Sequence, residues 1–169
     1  LHPAHAVAAL ADEGRQVDLA VPLARLARIA PLLLSTEGMA QGAVVLGHEQ
    51  GCTVADVTAQ ATVSLQCQRC LQPMSLPLAG SSRVALVESE ALAAEVPPEF
   101  ETALAPDGRL RLADLIEEEL LLALPPAPRH PAGQCPADAA VEKTVESAEP
   151  TQRPFASLGD LLKSQRPKS

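Results

Sequence analysis

From residue 41 to 88 apolar and polar positions alternate with a period of two, the spacing of a strand with one buried face. The pattern predicts strands over "GAVVLGHE" (42–49), "CTVADVTAQATVSLQ" (52–66), "MSLPLAG" (74–80) and "SRVALVES" (82–89). An earlier stretch, "RQVDLAV" (15–21), alternates enough to be a further short strand. Within 52–66 the parity slips between Val54 and Val57, which suggests a bulge or two strands meeting there.

Two segments carry helical spacing instead. Pro22 opens "PLARLARIAPLLL" (22–34), in which Leu23, Leu26, Ala27 and Ala30 recur at helical intervals until Pro31 ends or kinks the helix. The stronger segment is "LRLADLIEEELLLAL" (110–124), stopped by Pro125 and Pro126. On a helical wheel Leu112, Leu115, Ile116, Leu120 and Ala123 share one face, with Asp114, Glu117 and Glu118 roughly opposite. Glu119 falls inside the apolar face. A lone carboxylate there is costly unless it snorkels to water or finds a partner, and Arg69 is the cation expected to pair with it.

These elements predict an α+β fold. An antiparallel sheet or small barrel packs against the two helices, with a flexible acidic segment and a short C-terminal helix. Residues 1–14 read as an N-terminal arm and 15–136 as one α+β domain. Residues 137–152 read as a disordered acidic linker and 153–169 as an amphipathic basic tail, with Phe155, Leu158, Leu161 and Leu162 on one helical side.

Composition narrows the function. The chain has 169 residues, no Trp, no Tyr and two Phe, so its core is aliphatic and it offers almost no aromatic surface for stacking bases. Its net charge of -8 is uneven. Residues 86–150 carry 14 acidic and 4 basic groups, whereas 151–169 carry 1 acidic and 4 basic. The acidic stretch repels a phosphate backbone and attracts a basic partner, or else serves as a solvated face. No apolar run reaches the roughly 18 residues that cross a bilayer, and no secretory leader pattern is evident. Four cysteines in such a chain point to a reducing cytoplasm rather than to a disulfide framework.

The chemistry on offer centres on "CQRC". Cys67 and Cys70 have the spacing of a zinc knuckle, in a turn between two strands. His130 and Cys135 would complete a Cys3His set, although four residues separate them where two would be the stronger signal. Two free thiols at a structural turn fit the same pattern. A redox couple fits poorly, because strands flank the motif and Pro73 follows it. No phosphate-binding glycine loop, G-x-S-x-G or H-E-x-x-H is present. His48 and the N-terminal histidines have no carboxylate or nucleophile at recognisable spacing, so no catalytic role is expected.

Three stretches together resemble the YceD family, the large ribosomal RNA subunit accumulation proteins of bacteria and plastids. They are "VSLQCQRCLQPMSLPL" (63–78), "DLIEEELLLALPPAPRH" (114–130) with Cys135 after it, and "RPFASLGDLLK" (153–163). The resemblance covers roughly residues 60–169. It implies a non-enzymatic cytoplasmic factor needed for 23S rRNA to be made, processed or kept stable. The positions matching it are Cys67, Arg69, Cys70, Glu117, Glu119, Pro125, His130, Cys135 and Phe155. Some relatives have a fuller second cysteine cluster resembling a zinc ribbon, whereas this chain has His130 and Cys135 there. Zinc is the one cofactor implied.

With the charge pattern, three readings follow. An assembly factor would contact a basic large-subunit ribosomal protein or a pre-50S particle, with Arg69, Glu117, Glu119 and Phe155 as candidate contacts. A direct binder of 23S rRNA would use Arg69, Arg83 and the basic tail. A zinc-stabilised regulatory protein would depend on the Cys3His set.

Overall fold

The computed structural model describes residues 5–137. The acidic linker beyond Ala137 and the whole tail with Phe155 lie outside the described residues. The chain divides into two compact units, Leu1–His130 and Pro131–Ser169.

In the first unit a short strand β1 (His5–Ala6) leads into helix α1 (Val7–Asp12), both within the expected N-terminal arm. Strands β2 (Gln16–Pro22), β3 (Met39–Glu49), β4 (Cys52–Gln66) and β5 (Pro73–Val87) follow. Then come helix α2 (Glu90–Ala93), strands β6 (Glu101–Leu104) and β7 (Arg109–Leu110), and helix α3 (Leu112–Ala123). The main sheet is curled like half a barrel, in the order β2-β3-β4-β5-β6. Its first four strands form an antiparallel meander, but β6 runs parallel to β5. The fold is therefore α+β with a mixed sheet, and not the purely antiparallel one expected. A separate two-stranded sheet pairs β1 with β7. No described helix is long and apolar enough to cross a membrane.

The two strands expected over 74–80 and 82–89 are one strand, β5, paired with β4 without interruption from Gln66↔Pro73 to Thr53↔Leu86. Pro77 is tolerated inside it because β6 covers β5 only at Val84–Val87, so Pro77 has a neighbour on one side alone. The same unbroken register removes the bulge expected in β4. Ala55, Val57, Ala59, Ala61, Val63 and Leu65 all face the main core, whereas Val54 points to the other side. There it packs with its cross-strand partner Ala85 and with Phe100, beside Cys52 and Val96. The parity slip marks a second small core beneath residues 96–100.

The helix expected over 22–34 is instead two single 3-10 turns, Leu23–Arg25 and Ala30–Leu32, separated by an extended Leu26. Of the four positions read at helical spacing, Leu23 and Leu26 are buried to 2% exposure or less, but Ala27 is exposed and Ala30 half-buried, and Ile29 takes the third core place. The α-helix fails there because the N–H groups of Arg28 and Ile29 are drawn to the Glu117 carboxylate, at 2.6 and 3.0 Å.

Helix α3 rests on a trough of small residues. Gly42, Ala59 and Gly80 are cross-strand neighbours on β3, β4 and β5. A Cβ on Gly42 would stand 2.4 Å from Ile116 Cδ1 and 2.2 Å from the Thr58 carbonyl oxygen. One on Gly80 would stand 2.9 Å from the carbonyl oxygen of Glu119. Only glycine lets the helix backbone approach the sheet this closely. With the sheet on one side and the 23–32 segment on the other, the buried arc of α3 holds Glu119, as its place on the apolar face implied, and widens to include Ala113 and Glu117.

Candidate metal centre

The CQRC stretch is the turn between β4 and β5. The Cys67 N–H donates to Gln72 O at 3.0 Å and the Leu71 N–H to Cys67 O at 2.9 Å, closing the turn at both ends. Leu71 takes a left-handed conformation with φ 59° to do so. The Arg69 N–H points back at Cys67 Sγ, 3.5 Å away. This arrangement folds the backbone around one sulfur.

The second half of the site comes from the end of α3. Pro125 and Pro126 stop the helix, and the chain beyond runs past the turn, where the Gln68 N–H donates to Pro128 O at 2.8 Å. Two residues later His130 Nδ1 lies 3.4 Å from Cys70 Sγ. A turn then follows, closed by the Gln134 N–H on Pro131 O at 3.0 Å, and Cys135 comes after it. One ligand atom from each of Cys67, Cys70, His130 and Cys135 lies within 4.8 Å of the others. A tetrahedral zinc, with bonds of about 2.3 Å to sulfur and 2.0 Å to nitrogen, would draw such a set in by less than an ångström or so.

Burial and electrostatics fit the same use. Cys67 and Cys135 are buried, Cys70 and His130 half-buried, and all four cysteines are free thiols. Burial alone would push the Cys67 thiol up. Backbone N–H groups of Cys70, His130 and Arg69, together with the Cys70 thiol, outweigh it and bring Cys67 down from 9.0 to about 5. These donors favour the thiolate, the form that ligates a metal. A Cys3His set is a structural donor set with no coordination position left for substrate. The four residues of the sequence-predicted set are therefore brought together, and they would hold a zinc ion that staples the β4–β5 turn to the chain after α3.

The other predicted site residues are placed differently. Arg69 is exposed on the knuckle turn. Glu117 and Glu119 are buried, at 4% and 6% exposure, and both carboxylates are engaged within the fold. Glu117 accepts the two N–H groups of the 23–32 segment. Glu119 takes its hydrogen bond from the Ser82 hydroxyl on β5, and among the described residues no ion pair joins it to Arg69. A hydroxyl one strand away satisfies the buried carboxylate where a cation was expected. Arg83, an RNA-contact candidate, donates from Nε and Nη2 to the two Asp56 oxygens at 2.6 and 2.9 Å, and from Nη1 to Glu49 at 2.9 Å. His48 has a partner the sequence did not reveal, Asp12 Oδ1 at 2.9 Å, which ties the end of α1 to β3.

Sequence reasoning also missed an apolar groove of about 540 Å³ beside the knuckle, lined by Leu32, Leu34, Leu65, Leu121, Leu124 and Pro126. Leu32 and Leu34 are more than half exposed there. The run of leucines after Pro31, too long for one buried turn, was its signal.

No solved structure matches this chain. The family model described as large ribosomal RNA subunit accumulation protein YceD matches residues 55–162, a span that begins in β4 and contains the knuckle, α3, His130 and Cys135. The chain belongs to the YceD family of large ribosomal RNA subunit accumulation proteins.

Proposed function

We propose that this chain acts in the cytoplasm as a non-enzymatic assembly factor. It holds a basic large-subunit ribosomal protein, free or on a pre-50S particle, and so supports the synthesis, processing or stability of 23S rRNA. The family's role in accumulating large-subunit rRNA gives the process. The partner type rests on one observation. Glu88, Glu90, Glu95, Glu99, Glu101 and Asp107 are all exposed, and no Arg or Lys occurs among residues 84–108. Elsewhere on this unit Arg28, Arg83 and Arg111 are held in ion pairs with Glu118, Asp56 and Asp114. An exposed acidic segment with no basic residue inside it suits a cationic protein better than a phosphate backbone. The leucine-lined groove adds apolar area of the kind protein partners use.

The Cys3His cluster serves this function as a structural zinc centre. It fixes Arg69 and the groove rim relative to α3 and carries no reaction.

The test is binding of the purified chain to isolated large-subunit proteins. Binding that weakens with rising salt and is lost when Glu88, Glu90 and Glu95 are changed to Lys supports the reading. Binding to naked 23S rRNA fragments that survives those changes, with no affinity for ribosomal proteins, would replace it with direct rRNA recognition.

A further inference from the structure

Strand β6 is the outermost strand of the main sheet at one end. Its four residues pair with β5 alone, from Val84↔Glu101 to Val87↔Leu104. Among the described residues no backbone hydrogen bond outside that ladder reaches Glu101–Leu104. Its far side is therefore a row of unpaired N–H and C=O groups, a ready template for another strand. Edge strands are usually blunted by short length, charged side chains, Pro, a bulge or a covering segment, and of these β6 has its short length and one charge, Glu101. The sequence "ETAL" has neither Pro nor Lys, and the ladder to β5 runs without a bulge. Glu101, Thr102 and Leu104 are exposed, with Leu104 at 45%. The opposite edge, β2, ends in Pro22 and carries a single carboxylate, Asp18, that accepts a hydrogen bond from Gln16.

The charge at β6 is one-sided. Glu99 and Glu101 lie on or next to the strand, and Glu88, Glu90, Glu95 and Asp107 lie in the segments leading into and out of it. Side chains alternate across the strand, so Glu101 and Ala103 share one face and Thr102 and Leu104 the other. A strand added at this edge meets a carboxylate on the first face and an exposed leucine on the second.

Resting on the protein-binding reading above, we propose that β6 is the docking edge for an extended basic segment of the protein partner, which joins the sheet as a sixth strand. Main-chain hydrogen bonds supply the attachment, and side-chain alternation the selectivity. The segment recognised has Lys or Arg at every second position, aliphatic residues between them, and no Pro.

The probe is an acetylated, fluorescently labelled peptide of alternating lysine and valine, titrated into the full chain by anisotropy. Its partner probe has the central valine replaced by proline, which keeps the charge and removes the strand-forming N–H. The proposal expects the parent peptide to bind, and the proline peptide to bind at least about ten-fold more weakly. It expects a similar loss with Glu101→Lys, an exposed change that leaves the core intact. Amide hydrogens of residues 101–104 should exchange more slowly with the parent peptide bound. Equal binding of the two peptides would overturn strand addition and leave only charge attraction. No binding of the parent peptide would also overturn it. If salt-sensitive binding of large-subunit proteins persists in either case, only the edge docking is lost. If that binding is absent as well, the protein-binding reading falls with it.

Discussion

The Gln68 N–H donates to the Pro128 carbonyl at 2.8 Å, joining the turn after β4 to the chain after α3. That bond lets two motifs 60 residues apart, Cys70 and His130, meet at 3.4 Å. The Cys3His cluster is thus supported by backbone geometry on both sides, and does not depend on the thiols alone to find one another.

Zinc content follows directly. Protein purified without chelator is expected to hold one zinc per chain by mass spectrometry under native conditions. Cys67→Ser and His130→Ala should each lower metal affinity by ten-fold or more and lower the thermal midpoint, while Cys52→Ser, outside the cluster, should leave zinc content unchanged. Wild-type protein with no bound zinc that refuses added zinc would remove the centre.

The buried Glu117 carboxylate makes a second claim. It accepts two N–H groups in a segment that is not α-helical, so Glu117→Ala leaves both without that acceptor. The expected loss is about 2–4 kcal/mol in denaturant unfolding. Glu118→Ala, which removes a half-exposed pair with Arg28, should cost less than about 1 kcal/mol.

The trough under α3 makes a third. Gly42→Ala and Gly80→Ala push a methyl into Ile116 and the backbone of Glu119, with an expected cost of about 1–3 kcal/mol each. Gly47→Ala on the same strand as Gly42 meets nothing within 4 Å and should be neutral or slightly stabilising. Equal effects at Gly42 and Gly47 would mean that the helix does not sit where the structure places it.

The Asp56–Arg83 pair gives a pH signature. The hydrogen bond from Arg83 outweighs burial and holds the Asp56 carboxyl below its usual range. A carboxylate with a lowered folded value adds stability above its unfolded value, near 4, and loses it as pH falls through the folded one. The stability gap between wild type and Arg83→Gln should therefore be present at pH 7 and close on acidification below about pH 4. The pair is about half exposed, so the gap should stay under about 1 kcal/mol. A gap that widens in acid would contradict the assignment.

Much of this was legible from residue pattern. Period-two alternation located β2 to β5 because over most of their length one face is buried and the other wet, although β5, buried on both faces at Val84–Val87, was read as two strands. The Cys3His set was legible because its chemistry lies in residue type, although the two halves meet through a backbone bond that no spacing encodes. Glu117 was misplaced because a helical wheel assumes one buried face, while α3 is covered from two sides. The 23–34 segment was misread because its leucines satisfy 3.6-residue spacing as well as they satisfy two 3-10 turns. The parity slip at Val54 was visible as an anomaly, but its cause, Phe100, is 46 residues away in sequence.

The central claim is that the chain meets the large subunit through protein. Tagged chain would be recovered from growing cells, and the sample split into nuclease-treated and untreated halves. Large-subunit proteins that remain bound after nuclease treatment, and are released by salt, are the predicted result. Loss of all ribosomal material on nuclease treatment would contradict the account and assign the contact to RNA.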